Sequence, residues 1–357
     1  HTSRGLGDVY KRQDKKQTLP ILSNILIRCE ADSIKLLSTD LEVELEVCLS
    51  GANIEQPGET TIPAKKAADI IRELPEGQVS FELNEESSKL TVKSSSGKYN
   101  LSTIPGSDFP DFDVIKSDTT HKITPNKLYE LFLKTSFAMA NQDWRHYLNG
   151  CLFEKTGSSI NMVATDAHRL AIYKSNLEGE GDFTGIVPRK TVIELMKILP
   201  KQEDEIEFYI NSNNIVFMSK KFTFKSKLID GNYPNYNQVV PQGEGSKITF
   251  NRKNMLDSLS RVSVLTSEKF KGVKLKTESG VLDISAHNPD QESAEEKLDV
   301  TSAGNEFDIA FNVNYLKEVL GTIDEEEISL ISFGSDKSAL VESGDSNQVL
   351  VLMPLLL

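Results

Sequence analysis

The chain has 357 residues, of which 38% are hydrophobic and 26% charged, the composition of a folded globular protein. No apolar run reaches the roughly 18 residues of a membrane span, and no segment has the order of a secretory signal. The formal net charge of −13 excludes a protein that grips nucleic acid over its whole surface. A DNA partner would require positive charge confined to one face.

The first thirteen residues carry no apolar periodicity and do not lead into the segment that follows. We interpret residues 1–13 as non-native or disordered and set them outside the fold. A native flexible N-terminus is the alternative.

The first regular elements after this segment are a strand and a helix. Residues 41–47 alternate apolar and acidic side chains, which predicts a strand with its apolar face inward. The segment that opens with Ile62-Pro63 has Ala67, Ile70, Ile71 and Leu74 at positions i, i+3, i+4 and i+7. This spacing predicts a helix with one buried stripe, and Pro75 is expected to end it.

The same helix recurs twice, about 125 residues apart, which is the size of a domain rather than of a solenoid repeat. Copies follow Pro188 and Asn312, with their stripes in the same phase: Val192, Leu195, Met196 and Leu199, then Leu316, Val319, Leu320 and Ile323. Other short segments keep the same order. Ser38-Thr39-Asp40 matches Ala164-Thr165-Asp166, and the DFPDF segment at 108–112 matches NYPNY at 232–236.

Further strands and helices fill the second and third copies. Alternation over 206–210, 215–217 and 222–224 predicts strands, with a hairpin turn at Asn213-Asn214. Apolar stripes after Pro125 and Asn251 predict a second helix in each copy, and the first copy lacks its counterpart before Thr18. We therefore predict an α+β protein of three repeats, each with two helices on a largely antiparallel sheet. The boundaries are 14–118 (truncated at its start), 119–244 and 245–357.

The helices also carry basic residues opposite their apolar stripes: Lys65, Lys66, Arg72, Lys127, Lys134, Arg189, Lys190, Lys197, Arg252, Lys253, Arg261 and Lys317. Much of the acidic charge lies on the strands. This separation favours contact with DNA phosphates without base reading. The alternative is a set of solvated helix faces that bind nothing.

Patterns typical of catalysis are scarce. The five histidines lack metal-ligand spacing, and the chain has no glycine-rich phosphate loop and no GxSxG motif. Cys29, Cys48 and Cys151 have no paired spacing, which argues against a disulfide framework or a zinc site and for a reducing cytoplasm. Asp166 and His168 form the one chemistry-like cluster, so a DNA-processing hydrolase that uses them is the alternative function. The apolar C-terminus predicts a last buried strand followed by a segment that could line a cleft for a partner.

Many segments, in order from Thr18 to Leu357, resemble the bacterial DNA polymerase III beta subunit family, the sliding clamps. Those that carry the resemblance include TLPILSNILIRC, LSTIPGSDFPDF, NQDWRHYLNGCLFE, VATDAHRLAIYK, SKLIDGNYPNY, NPDQESAEEKLDV and the terminal MPLLL. The resemblance implies the DNA clamp fold, with two copies joined head to tail in a six-domain ring. It implies a non-catalytic processivity factor that encircles duplex DNA, without cofactor or metal.

The resemblance also implies partners and their sites. The partners are sequence-independent duplex DNA, a second copy, the clamp loader, the replicative polymerase alpha subunit and repair polymerases that bind through linear motifs. The location implied is the bacterial cytoplasm, at the nucleoid during replication.

The family resemblance implies three groups of site residues. Partner peptides would bind Leu148, Thr165, His168, Arg169, Leu170, Pro234, Val239, Phe270, Asn312, Tyr315, Ser338, Val351, Met353, Pro354, Leu355 and Leu357. DNA would contact Gln142, Arg145, Tyr147, Arg189 and Lys190, with Lys16 a further candidate. The dimer interface would pair Tyr99 and Leu101 with Val264 and Leu265, and would bring Lys98 near Glu292, Glu295 and Glu296. Gln238 and Leu356 depart from the family pattern, so partner preference could differ.

Overall fold

The structure is a computed structural model that describes residues 19–267, 269, 271–303, 306 and 308–355. The helix expected before Thr18, the interpretation of residues 1–13, and Lys16, Phe270 and Leu357 lie outside the described residues. No helix among the described residues is long and apolar enough to cross a membrane. One compact unit (the first unit) holds the chain to Pro125 together with Lys201–Leu228, and the other (the second unit) holds Asn126–Pro200 and the chain from Ile229.

Five α-helices are present in the described residues: α1 Ala64–Glu73, α2 Pro125–Leu133, α3 Arg189–Ile198, α4 Arg252–Val262 and α5 Val313–Gly321. The predicted stripes are confirmed, since Ala67, Val192, Leu195, Val319 and Leu320 are all at most 1% exposed. Asn312 begins α5, and its Oδ1 accepts hydrogen bonds from the amides of residues 314 and 315. The helices thus begin and end close to the predicted positions.

The first unit contains twelve described strands in two antiparallel sheets. They are β1 Asn24–Cys29, β2 Ser33–Thr39, β3 Val43–Ser50, β4 Gly58–Pro63, β5 Ser80–Asn84, β6 Lys89–Lys93, β7 Lys98–Ser102, β8 Ile104–Pro105, β9 His121–Ile123, β14 Ile206–Ile210, β15 Asn214–Met218 and β16 Phe222–Lys227. One sheet has the order β8-β4-β1-β2-β3-β16-β15-β14-β9, and the other has β5-β6-β7.

The second unit contains thirteen described strands, also in two antiparallel sheets. They are β10 Gly150–Thr156, β11 Ser159–Thr165, β12 Arg169–Asn176, β13 Phe183–Pro188, β17 Ser246–Asn251, β18 Gly272–Glu278, β19 Val281–His287, β20 Ser293–Asp299, β21 Thr301–Ala303, β22 Asp308–Asn312, β23 Glu327–Ser332, β24 Ala339–Glu342 and β25 Gln348–Leu352. The sheet orders are β13-β10-β11-β12-β25-β24-β23-β17-β21 and β20-β19-β18-β22.

The strand orders show how the repeats join. Each repeat contributes two half-sheets. The first half-sheet ends at β3 in the first repeat, at β12 in the second and at β20 in the third. The other half-sheet ends at β7, β16 and β25, respectively. β3 of the first repeat pairs with β16 of the second, and β12 of the second repeat pairs with β25 of the third. Each nine-stranded sheet is therefore formed by two neighbouring repeats.

A tight turn precedes the joining strands β3 and β12. Oδ1 of Asp166 accepts hydrogen bonds from the amides of His168 (2.9 Å) and Arg169 (3.0 Å). Asp40 does the same for the amides of residues 42 and 43, at 3.0 and 2.9 Å. The residue after each aspartate has a positive φ, 75° at Leu41 and 73° at Ala167. The carboxylate holds this strained turn because it satisfies two amides at once.

Four sequence expectations need correction. Leu41 lies in the turn and β3 begins at Val43, because Asp40 holds the preceding residues out of the ladder. Glu44 does not face outward: it is 2% exposed and pairs with Lys225 across the sheet. Lys134 is not on a basic surface, since it is 8% exposed and its Nζ donates to Asp324 Oδ2 (2.7 Å) and Thr322 O (2.9 Å). The hairpin turn spans 211–213, because Asn214 already belongs to β15.

The turn at Asp166 provides a test of stability. We expect Asp166→Ala to lower the free energy of unfolding by about 1–2 kcal/mol, because two amides lose their acceptor. Asp166→Asn keeps an acceptor oxygen at the same place and should lower the free energy of unfolding clearly less. Urea unfolding of the two variants measures the difference. Equal losses would show that the turn does not depend on this acceptor.

The Lys134–Asp324 pair provides a test of pH dependence. The Lys134 ammonium holds the pKa of Asp324 below its usual range. A lowered pKa means that the pair contributes stability above about pH 4 and loses it as pH falls through the folded-state pKa. Asp324→Asn should therefore cost about 1 kcal/mol at neutral pH, since Asp324 itself is exposed, and progressively less in acid. Glu325→Gln is the matched control and should change little at either pH; a pH-independent loss in Asp324→Asn would contradict this role.

Candidate functional site

Arg169 organises the site predicted for partner peptides. Its side chain is 8% exposed and forms ion pairs with Asp166 Oδ2 (3.2 Å) and Glu318 Oε2 (2.5 Å). The guanidinium also lies over the rings of Tyr315 and Phe137, 4.5 and 5.3 Å from their centroids. A buried guanidinium is tolerated only when it is paired in this way. Arg169 therefore ties the β12 turn to α5 rather than offering a free charge to a ligand.

His168 and the C-terminal segment lie against the same wall. The His168 ring stacks on Tyr315 with centroids 5.8 Å apart and planes 22° apart. The His168 carbonyl accepts a hydrogen bond from the Met353 amide (2.8 Å), and the Leu355 amide donates to Ala310 O (2.7 Å). The segment after β25 is thus pinned by its backbone, while the Met353 side chain stays 38% exposed.

An apolar cluster lies beneath this wall. Leu170 and Val351 are cross-strand partners, each 2% exposed, and they belong to a cluster with Leu152, Val163, Ile172 and Ile186. Partly buried aromatic and aliphatic side chains pack on it: Tyr147, Ile229, Tyr233, Tyr236, Val240, Leu340 and Val349. A surface of this kind, apolar with a few polar groups, suits a short linear motif.

The remaining predicted peptide-site residues lie around the cluster. Val239 is 49% exposed, and its carbonyl accepts from Ser338 Oγ at 3.2 Å. Val239 directly precedes Val240 in the chain, and Ser338 lies two residues before Leu340. Val240 and Leu340 both pack on the apolar cluster. Thr165 Oγ1 donates to Arg169 O (2.6 Å), Pro234 is exposed, and Leu148 is buried. We call the surface formed by residues 168–170, Val239, Tyr315, Ser338 and 351–355 the partner surface.

The sequence missed several residues that build the partner surface. Glu318 and Phe137 hold Arg169, and Tyr233 and Tyr236 pack on the cluster. Tyr236 also donates to Glu154 Oε1 (2.5 Å), and burial and that bond raise its pKa to about 12. The NYPNY segment was a visible signal for the tyrosines. Nothing in the local sequence pointed to Glu318, because its partner lies 149 positions away.

The hydrolase hypothesis based on Asp166 and His168 finds no support. Both carboxylate oxygens of Asp166 are engaged, Oδ1 by two amides and Oδ2 by Arg169. A general base needs a free lone pair within reach of a substrate proton. The same turn at Asp40, with no histidine beside it, shows that the aspartate is a structural element of the repeat.

The residues predicted to contact DNA lie on a rigid loop beside the start of α3. Asn149 accepts from the Asp143 amide (2.9 Å) and donates to the Asp143 carbonyl (2.8 Å). Arg145 donates to the Asp143 carboxylate through Nε (3.0 Å) and Nη2 (2.9 Å), and these bonds hold the pKa of Asp143 at about 2. Gln142 has a φ of 58°, which marks the tight bend of this loop.

The start of α3 is anchored to that loop. The Arg189 amide donates to Asn149 O (2.9 Å), and its guanidinium donates to Met139 O (3.3 Å). Tyr147 packs on the apolar cluster and Lys190 follows Arg189, so the five predicted DNA contacts lie on connected elements of the second unit. Arg145 is paired with Asp143, and Arg189 and Lys190 are further cationic residues of this surface.

The predicted dimer residues lie on edge strands or next to them. Lys98, Tyr99 and Leu101 belong to β7; Tyr99 is 37% exposed, whereas Leu101 is buried at 5%. Val264 is 77% exposed and Leu265 is half-buried. Glu295 and Glu296 lie on β20, and Glu292 just precedes it. Arg261 already pairs with Glu296, which holds the pKa of Glu296 at about 2, so Glu296 is not a free partner for Lys98.

Within the described part of the chain, no group of three or more His, Cys, Asp or Glu residues could hold a metal ion. The three cysteines are free thiols, and burial raises the pKa of Cys151 to about 12. The Cys151 thiol is therefore protonated and unreactive at neutral pH.

Comparisons with known proteins agree along the whole chain. Family models for the DNA polymerase III beta subunit match in order: its N-terminal domain at 4–113, its central domain at 122–235 and its C-terminal domain at 237–356. The beta sliding clamp of Pseudomonas aeruginosa is 39% identical over 345 residues, covering 96% of this chain and 94% of that protein. The beta sliding clamp of Salmonella typhimurium is 39% identical over 358 residues, covering 99% and 97%.

The structural likeness is equally complete. The crystal structure of the DNA polymerase III subunit beta from Pseudomonas aeruginosa superposes with a TM-score of 0.96 at 38% identity, covering 100% of this chain and 98% of that chain. The three repeats found in the sequence correspond to the three family domains. The chain therefore belongs to the DNA polymerase III beta subunit family, the beta sliding clamps, which are non-catalytic processivity factors.

Proposed function

We propose that two copies of this chain close head to tail into a ring around duplex DNA and tether a DNA polymerase to it. Family membership supports the clamp function in replication. The ring carries no chemistry of its own, because retention depends on topology and sliding depends on weak phosphate contacts. The sequence-independent contacts would come from Gln142, Arg145, Tyr147, Arg189 and Lys190.

The observation that carries the head-to-tail proposal is the way the repeats join within the chain. Edge strand β3 pairs with β16, and the equivalent edge strand β12 pairs with β25. In the third repeat the equivalent strand is β20. It follows a turn held by an asparagine in place of the aspartate, since Asn288 Oδ1 accepts a hydrogen bond from the Glu292 amide (3.0 Å). β20 and β7 each pair on one side only in the described part of the chain.

The third join would therefore be made between copies. β20 of one protomer would pair with β7 of its partner, and the reciprocal pair would close the ring. An unpaired strand edge is a template for another strand, so this join satisfies both edges. Lys98 lies on β7, and the acidic residues Glu292 and Glu295 lie just before β20 and on it. Their opposite charges favour this orientation. Val264 and Leu265 would add apolar contact at the rim.

Partners would dock on the partner surface through short linear motifs. Its apolar cluster and exposed Met353 and Val239 offer anchor sites, while backbone groups near Thr165 and Ser338 offer polar contacts. The proposed partners are the clamp loader, the replicative polymerase alpha subunit and repair polymerases. Related clamps from Pseudomonas aeruginosa and Bartonella birtlesii have been crystallised bound to griselimycin, which supports a ligand-binding role for the family. The proposed location is the bacterial cytoplasm, at the nucleoid during replication.

The partner surface can be tested by substitution. Met353→Ala combined with Leu355→Ala should weaken binding of a polymerase-derived peptide by about tenfold or more, because the apolar anchors are lost. Fluorescence anisotropy of a labelled peptide measures this, and sedimentation checks that the dimer persists. Ile193→Ala is the matched control, since Ile193 and Met353 are each 38% exposed. Unchanged peptide affinity in the double variant would remove these residues from the site.

The ring itself is tested by topology. After loading by a clamp loader, the protein should stay on nicked circular DNA and leave the same DNA once a restriction enzyme linearises it, because a ring slides off free ends. Release is followed by gel filtration of the labelled protein with the DNA. Equal retention on circular and linear DNA would contradict encirclement.

A further inference from the structure

The loop at residues 141–149 carries a large exposed aromatic side chain, Trp144. It is 82% exposed and is the single tryptophan of the chain. An indole buries more apolar area than almost any other side chain, so leaving it in water is costly. The side-chain hydrogen bonds that hold the loop run through Asp143, Arg145 and Asn149 and do not involve the indole. The indole contacts the loop only through the Arg145 guanidinium among the described contacts, which leaves most of the ring in water.

The indole is presented on a rigid support. Asn149 clamps both backbone groups of Asp143, and Asp143 accepts from the Arg145 amide (2.8 Å) and its guanidinium. Trp144 lies between these two residues, so its backbone is fixed on both sides. The Arg145 guanidinium lies 5.7 Å from the Trp144 ring centroid. An aromatic ring on a fixed backbone loses little entropy when a ligand stacks on it.

The surroundings of Trp144 favour a nucleic-acid ligand over a protein. Its sequence neighbours Gln142, Asp143, Arg145 and His146 are polar or charged, whereas a tryptophan that anchors a protein partner normally lies within an apolar patch. Arg189, which is hydrogen-bonded to the same loop, and Lys190 add cationic charge to this part of an acidic chain. Aromatic rings among cations are the means by which proteins hold unpaired strands, the ring for the base and the cations for phosphates.

We propose that Trp144 is a stacking platform for an unpaired DNA base at the point where duplex gives way to single strand. The proposal deepens the proposed function and rests on it. Within a duplex the faces of the bases are covered by their neighbours, so an indole can stack only on a base that is unpaired or at an end. A clamp with such a platform would be held preferentially at a junction while still sliding along duplex through its phosphate contacts.

The single tryptophan makes the test direct, because all indole fluorescence reports on residue 144. The whole chain is titrated with oligothymidylate, with a blunt-ended duplex, and with a duplex that has a single-stranded overhang. We expect strong quenching with the oligothymidylate and with the overhang duplex, and clearly weaker quenching with the blunt duplex, whose exposed base faces lie only at its two ends. No change with the overhang duplex, or equal quenching with the blunt duplex, would overturn the proposal. A change seen only when polymerase protein is added would also overturn it and assign Trp144 to a protein partner.

Variants measure how much the platform contributes. Trp144→Ala should weaken binding of the overhang DNA by about fivefold or more, as loss of one stacked base does, and Trp144→Phe should retain most of the affinity. Ile115→Ala is the matched control, because Ile115 is 84% exposed and lies in the first unit. Unchanged affinity in Trp144→Ala would overturn the proposal. Retention of the parent chain on circular DNA is measured in parallel, so failure of the ring is distinguishable from failure of the platform.

Discussion

The antiparallel pairing of edge strands between neighbouring repeats is the interaction on which this structure depends. Five ladder positions join β3 to β16, and five join β12 to β25. These ladders turn half-sheets from two repeats into one nine-stranded sheet in each compact unit. A half-sheet alone would expose an edge, which proteins generally cover or pair. Each repeat is therefore completed by its neighbour, and the edges equivalent to these joins in the first and third repeats, β7 and β20, have no partner strand there in the described part of the chain.

The two joins have the same geometry but different chemistry, and this difference supports the proposal that partners dock at the second join. The second residue of the joining strand shows the difference. In β12 this residue is Leu170, which lies opposite Val351, whereas in β3 it is Glu44, which lies opposite Lys225. Lys225 Nζ lies 2.8 Å from Glu44 Oε1, and burial raises the pKa of Glu44. The cavity of about 320 Å³ beside this pair is lined largely by charged and polar groups, among them Glu46, Glu59 and Asp113. An apolar peptide anchor would have to displace charges there, whereas on the proposed partner surface, over the Leu170–Val351 cluster, it would not meet that cost.

The sequence predicted the elements whose signals are local. The helical stripes predicted the phase of α1, α3 and α5. The Thr-Asp pairs were recognised as markers of the repeat, but the turns that they form before β3 and β12 were not predicted. His168, Leu170, Tyr315 and Met353, which were named from the family resemblance, lie next to one another, and their role in binding stays a prediction. Each of these features depends on spacing within a few residues or on matched segments.

The features that the sequence did not predict depend on long-range contacts. Lys134 was assigned to a basic helix face, yet it is buried against Asp324, which lies 190 positions later. Glu44 fits an alternating strand with its acid outward, but the ladder to β16 buries it beside Lys225. In both cases a charge was placed by local pattern, while its actual position is decided by a partner distant in sequence.

The most direct test is the state of β7 and β20, the two edge strands proposed to pair between copies. Amide hydrogen exchange is measured residue by residue over Lys98–Ser102 and Ser293–Asp299 while the protein concentration is raised through association. The account predicts that alternate amides on both strands become protected together, in step with dimer formation. Dimer formation with no new protection on either strand would contradict the claim that the ring closes by the same edge pairing that joins the repeats.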